Sequence, residues 1–110
     1  MSDEYTITLD GQRNAATLSG VLRLSSPVAY RPVMQPIQDA IEAGPPSYRI
    51  DLGGVTFMNS SGITALSRLV MAARQHDVPL VCVVNDGVPW QRKTLSSLAR
   101  LYPKLELVTG

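Results

Sequence analysis

The run Leu80-Val81-Cys82-Val83-Val84 constrains this chain more than any other feature. It is bounded by Pro79 on one side and by Asn85-Asp86-Gly87 on the other, is too short for a helix, and carries no polar alternation. Such a run predicts a strand covered on both faces, the kind found inside parallel sheets whose crossovers are helices. The residues on either side supply the helices. Before it, Ile63, Leu66, Leu69, Val70 and Ala73 recur at helical spacing, Arg68 and Arg74 lie towards the polar side, and His76-Asp77-Val78-Pro79 ends the segment. After it, Pro89 suits a first helical position, Leu95, Leu98, Leu101 and Tyr102 form a second apolar stripe, and Leu105-Glu106-Leu107-Val108 reads as a closing strand.

The N-terminal half extends the pattern. Tyr5, Ile7 and Leu9 alternate with Thr6 and Thr8, and beyond the turn signal Asp10-Gly11 the alternation resumes at Ala16, Leu18, Leu22 and Leu24, which predicts a β-hairpin with a candidate bulge at Gly20. Thr17, Ser19, Val21 and Arg23 take the opposite parity, leaving one semi-polar side for solvent or a partner. Ser25-Ser26-Pro27 reads as a cap and first turn, followed by Tyr30, Val33, Met34, Ile37, Ala40 and Ile41 on one helical face and a stop at Gly44-Pro45-Pro46. Pro32 is tolerable within the first turn, whereas Pro36 removes a backbone bond and should kink or delay the helix. Tyr48 to Leu52 reads as a short strand, and residues 53 to 58 as its connection to a helix starting near Ser60 or Ser61. The predicted order is β-β-α-β-α-β-α-β: an α/β fold with a mixed, mainly parallel sheet of about five strands packed against three main helices, expected as one domain over 1–110.

Composition narrows the function. Ten Lys and Arg against nine Asp and Glu, scattered along the chain, give no basic stripe and argue against a nucleic-acid partner. Cys82 is the sole cysteine, so no intramolecular disulfide forms and a reducing, cytoplasmic setting is expected. Met1 to Tyr5 lacks the basic and apolar regions of a leader, and no apolar run approaches the ~20 residues that span a bilayer, so direct membrane insertion is not expected.

The segment Asp51-Leu52-Gly53-Gly54-Val55-Thr56-Phe57-Met58-Asn59-Ser60-Ser61-Gly62-Ile63 sets two hydroxyls and a glycine where a strand hands over to a helix. A helix N-terminus offers unpaired amides and the positive end of the dipole, so a serine there can cap the helix, and a phosphate on it would be favoured electrostatically. Local chemistry leaves both roles open.

The same segment resembles the signature of the STAS domain family, of the anti-sigma-factor antagonist type: an aspartate in a strand, a hydrophobic pair, then Asp-Ser-Ser-Gly opening the second helix. The resemblance is close from Asp51 to about Leu69, and the order of elements agrees over the whole chain. It implies a non-enzymatic signalling adaptor that binds a serine kinase acting as anti-sigma factor or a related switch protein, with Ser60 at the position that such a kinase phosphorylates. It also implies a recognition loop of Met58, Asn59, Ser60, Ser61, Gly62 and Ile63, with Ser61 as the structural cap and Thr64 as a second acceptor. The chain departs from the better-known antagonists at Asn59, which stands where they have aspartate. That exchange keeps the capping geometry and removes a charge beside the acceptor hydroxyl.

Other residues are weaker signals. Trp90 is expected at the same end of the sheet as Ser60, as an interface anchor or as a plug at the core edge. Of Phe57 and Met58, one is expected to pack inward and the other to be exposed. His76 has no cysteine or carboxylate at metal-ligand spacing, so neither a metal nor another cofactor is expected. A Ser–His pair is ruled out because the two ends of a 16-residue helix lie about 24 Å apart at 1.5 Å per residue. Arg92, Lys93 and Arg100 read as a solvated helix face. Two rival functions stay in view: the cytoplasmic STAS subunit of a membrane lipid-transport complex, contacting its ATP-binding protein, and a nucleotide-binding protein or enzyme, for which no base, metal site or phosphate lysine is present.

Overall fold

The computed structural model describes residues 4–110; the first three residues of the domain expected over 1–110 lie outside it. The elements follow the order β1 (Tyr5–Asp10), β2 (Ala15–Leu22), α1 (Pro27–Glu42), β3 (Tyr48–Met58), α2 (Ser60–Gln75), β4 (Leu80–Val84), α3 (Pro89–Ala99) and β5 (Leu105–Thr109). They form one five-stranded sheet in the order β1-β2-β3-β4-β5, with β1 antiparallel to β2 and every other pair parallel. This is the mixed, mainly parallel sheet with three helices that the sequence predicts.

The three crossovers each step one strand in the same direction, and right-handed crossovers of that kind place all their helices on one face. Burial agrees with this layering. Ala16, Leu18, Ile50, Leu52, Leu80, Cys82 and Val84 belong to the core beneath the helices, together with Tyr30, Ile37 and Ile41 of α1, Leu66 and Leu69 of α2, and Leu95 of α3. Thr8, Thr17, Arg49 and Glu106 on the opposite face are exposed. The expectation that β4 is covered on both faces is therefore met on one face only. Val83 is buried but stands outside the core; its cross-strand neighbours are Asp51 and Val108, and the terminal Gly110 packs so close that a Cβ there would meet its Cγ1 at 2.4 Å. An inner strand's side chains are shielded by those of the strands beside it, so an apolar run does not require a second layer of helices.

The β2–β3 register does shift beside Gly20, but the extra residue lies on β3 and not on β2 as expected: Gly20↔Val55 is followed by Val21↔Phe57, which leaves Thr56 unpaired, while Gly20 itself has φ +96°. A Cβ at that position would meet the Glu4 carbonyl oxygen at 2.2 Å, so only glycine fits. Helix α1 starts as expected, with the Ser26 hydroxyl accepting the Ala29 N–H at 3.2 Å and Pro27 in the first turn. Pro32, however, lies beyond the first turn, and the helix runs through both it and Pro36. The two are four residues apart on the exposed side, where carbonyls that lose an intrahelical donor turn to water, so the helix tolerates them. Leu101 leaves the predicted α3 stripe: the helix ends before it and it is 40% exposed.

The largest departure concerns residues 53 to 58, read as a connection. They continue β3 as strand, pairing with β2 from Ser19↔Gly54 to Leu22↔Met58, while β4 pairs with β3 only as far as Asp51↔Val83. The end of β3 thus projects beyond β4 and delivers the chain to α2.

Candidate functional site

The site is built where the C-terminal ends of β2 and β3 meet the N-termini of α1 and α2. Asn59 organises it. Its Oδ1 accepts the Gly62 N–H at 2.9 Å, which makes it the N-cap of α2, and it also accepts the Tyr30 hydroxyl at 2.8 Å. Its Nδ2 donates to the Leu24 carbonyl at 2.8 Å, and its backbone N–H donates to the Leu22 carbonyl at 3.0 Å. The Tyr30 hydroxyl in turn accepts the Leu24 N–H at 3.2 Å. Burial raises the pKa of that hydroxyl, so it stays protonated and able to donate. One side chain thereby ties the β2–α1 loop, the first turns of α1 and the start of α2 together.

This geometry gives a physical account of asparagine at 59. A carboxylate could accept from Gly62 and Tyr30 but could not donate to the Leu24 carbonyl, and would face that oxygen with like charge. It also corrects the expectation that Ser61 is the structural cap: Asn59 fills that role, because its short side chain reaches the third amide of the helix from an extended backbone. Gly62 is buried against the same corner, where a Cβ would stand 2.6 Å from Met58 Cγ and 2.9 Å from the Tyr30 hydroxyl oxygen.

Within the predicted recognition loop, Met58 and Gly62 face inward, Asn59, Ser61 and Ile63 are half-buried, and Ser60 alone is exposed. Ser60 opens α2, whose first turn holds no acidic residue. Thr64 is exposed one turn later and donates its hydroxyl to the Ser60 carbonyl at 3.1 Å. Phe57 is 47% exposed while Met58 is 5% exposed, the division expected of the pair.

Helix α3 braces the projecting end of β3. The half-buried Trp90 donates its indole N–H to the Thr56 carbonyl at 3.2 Å. Gln91, fully buried, donates through Nε2 to the Leu52 carbonyl at 2.7 Å and the Val55 carbonyl at 2.8 Å, and accepts the Asn85 N–H through Oε1 at 2.8 Å. These bonds replace the ladder that β4 is too short to provide. Sequence reasoning missed Gln91, since a glutamine on a helix reads as solvated, and it placed Tyr30 in a core stripe without its hydroxyl's role. Arg92 is paired with Asp86 at 2.7 Å and donates to Thr109 at 2.8 Å, which ties the α3 start to the end of β5.

His76 caps the opposite end of α2, remote from Ser60. Among the described residues no group of three or more His, Cys, Asp or Glu side chains is placed to hold a metal ion, and no helix is long and apolar enough to cross a membrane.

No curated protein matches the sequence. Among solved structures, the fold is similar to the crystal structure of an anti-sigma factor antagonist from Mycobacterium paratuberculosis, with a TM-score of 0.63 and 20% identity over 93% of this chain and 85% of that one. The sequence profile of the STAS domain matches residues 10–106, a span that takes in all three helices, the inner strands and the Asn59 corner; the chain belongs to the STAS domain family.

Proposed function

We propose that this protein is a non-enzymatic, cytoplasmic signalling adaptor that docks a switch kinase or anti-sigma factor on the corner at the start of α2, with the Ser60 hydroxyl as its regulated position. The observation that carries this reading is the contrast at residues 58 to 63: Asn59 and its partners hold the corner fixed, and Ser60 is the one residue of the six presented to solvent. A phosphate on Ser60 would add about −1.5 to −2 charges. It would sit at the positive end of the α2 dipole with no carboxylate in the first turn to repel it, so the helix would tolerate the modification. A partner seated over Ser60 and the exposed ring of Phe57 would instead meet a desolvated charge, which favours release. The fold shared with an anti-sigma factor antagonist supports the same reading.

The test is to purify the protein from its native cells with whatever it retains, measure the mass of the Ser60 peptide, and titrate the retained partner with Ser60→Ala and Ser60→Asp variants. Binding at least tenfold weaker for Ser60→Asp than for Ser60→Ala is expected. Equal affinities would end the switch reading, and retention of a transporter's ATP-binding subunit with Ser60 unmodified would favour the transport role.

A further inference from the structure

We propose that the free edge of β1 pairs with the β1 edge of a second copy of this chain, joining the two sheets into one across a two-fold axis. Strand β1 ends the sheet, and its ladder with β2 is regular from Tyr5↔Gly20 to Asp10↔Ala15. The Val21 N–H donates to the Glu4 carbonyl at 2.7 Å, and hydrogen-bonded positions alternate along an antiparallel pair. Glu4, Thr6, Thr8 and Asp10 therefore turn their backbone groups towards β2. Tyr5, Ile7 and Leu9 turn theirs outward, where nothing among the described residues pairs with them. Natural sheets shield such an edge with lysine, proline or a bulge, and β1 has none of the three.

The side chains select a second copy as the occupant. The antiparallel register that uses every outward group centres on Ile7: Ile7 meets its own counterpart, Tyr5 meets the second copy's Leu9, and Thr6 meets its Thr8. Aromatic–aliphatic and threonine pairs of this kind stabilise neighbouring strands. Leu9 shares the helix side of the sheet with Tyr5 and Ile7, yet it is 39% exposed. Beside the other end of the strand, Tyr5, Thr6 and Ile7 with Val33 of α1 line an open cleft of about 390 Å³ that holds no charged side chain. The two-fold axis sets each copy's Leu9 opposite the other's Tyr5, at the mouth of that cleft, so an uncovered apolar side chain and the hollow that receives it come together twice. Charge agrees with this pairing. Glu4 with Arg23 frames one end of the strand and Asp10 with Arg13 the other. The axis brings unlike ends together, so the Glu4 carboxylate gains the second copy's Arg13 and the Asp10 carboxylate gains its Arg23. An extended peptide of another protein would use the same backbone groups without supplying this matched set. The inference does not rest on Ser60, because β2 separates this edge from the strand that leads to that residue.

The experiment follows the full chain by sedimentation velocity from micromolar to millimolar concentration, where a reversible monomer–dimer equilibrium is expected. Thr6 and Thr8 are exposed and oppose each other across the axis, so Thr6→Lys/Thr8→Lys should weaken the dimer at least tenfold with an unchanged far-ultraviolet circular dichroism spectrum. Mixing that variant with Thr6→Glu/Thr8→Glu should produce a heterodimer. Cysteines read the register: residues opposed without hydrogen bonds lie about 4.5 Å apart at Cα, within disulfide reach. With oxidised glutathione present, a mixture of Thr6→Cys and Thr8→Cys chains should become covalently dimeric faster than either chain alone. A chain that stays monomeric at millimolar concentration, a dimer that the lysine variant leaves intact, oppositely charged variants that do not associate, or cysteine coupling no faster in the mixture would overturn the proposal.

Discussion

The Asn59 side chain uses both ends, accepting from Gly62 and Tyr30 and donating to Leu24, so its truncation removes a helix cap and strips partners from two further groups. Loss of a cap costs about 1 kcal/mol and each partly buried polar group left unpaired adds about as much again. Asn59→Ala is therefore expected to lower stability by about 2–3 kcal/mol, read as a fall in the urea midpoint at unchanged slope. Tyr30→Phe should cost about 1–2 kcal/mol in the same assay. Cys82 makes a different prediction. Burial pushes its thiol from the ordinary 9.0 up to about 12, so between those values the unfolded chain has released a proton that the folded chain still holds. Unfolding then releases a proton, and stability that is complete below pH 9 declines as pH rises towards 12. Urea midpoints measured across that range should fall less steeply in Cys82→Ala than in the native chain. The thiol should resist alkylation at neutral pH until the protein is denatured.

Among the elements, β3 separates what the sequence displays from what it conceals. Its first half is legible because Ile50 and Leu52 share the core face with a hydrophobic rhythm, and the following helix announces itself through the Ile63-to-Ala73 stripe. The second half begins at Gly53-Gly54, a pair that ordinarily signals a loop, and it forms strand only because β3 takes up extra residues between Asp51 and Gly54 and at Thr56 to stay paired with β2, and because Gln91 supplies bonds from α3. Neither cause is local, so no pattern within residues 53 to 58 reveals it. The same holds at the corner: two serines and a glycine mark a helix start, but that Asn59 is its cap depends on Leu24 and Tyr30, which are 35 and 29 residues away. Replacing Gln91 with leucine should test the brace. It leaves the Leu52 and Val55 carbonyls and the Asn85 amide without partners, at a cost of about 2–4 kcal/mol, and hydrogen exchange should quicken in residues 53 to 58 while β4 and β5 stay protected.

Across the whole molecule, placing three helices on one face leaves the other face of the sheet open, bearing Thr8, Thr17, Arg49 and Glu106. Substitutions there remove little packing, so Thr17→Val and Glu106→Gln are each expected to change stability by less than about 0.5 kcal/mol, against several for a core position such as Ile50→Ala; thermal denaturation would show the contrast. The Ser60 corner lies at the end of the sheet where a crossover begins, and Phe57, which alternates with the inward Met58 and pairs with Val21, turns its exposed ring to the open face beside it. The indole of Trp90, the sole tryptophan of the chain, is fastened to the Thr56 carbonyl just ahead of Phe57 and the Ser60 corner. Anything that settles on that corner will disturb the ring's surroundings, and so the protein carries its own optical probe: a change in intrinsic emission would report occupancy in real time with no dye attached.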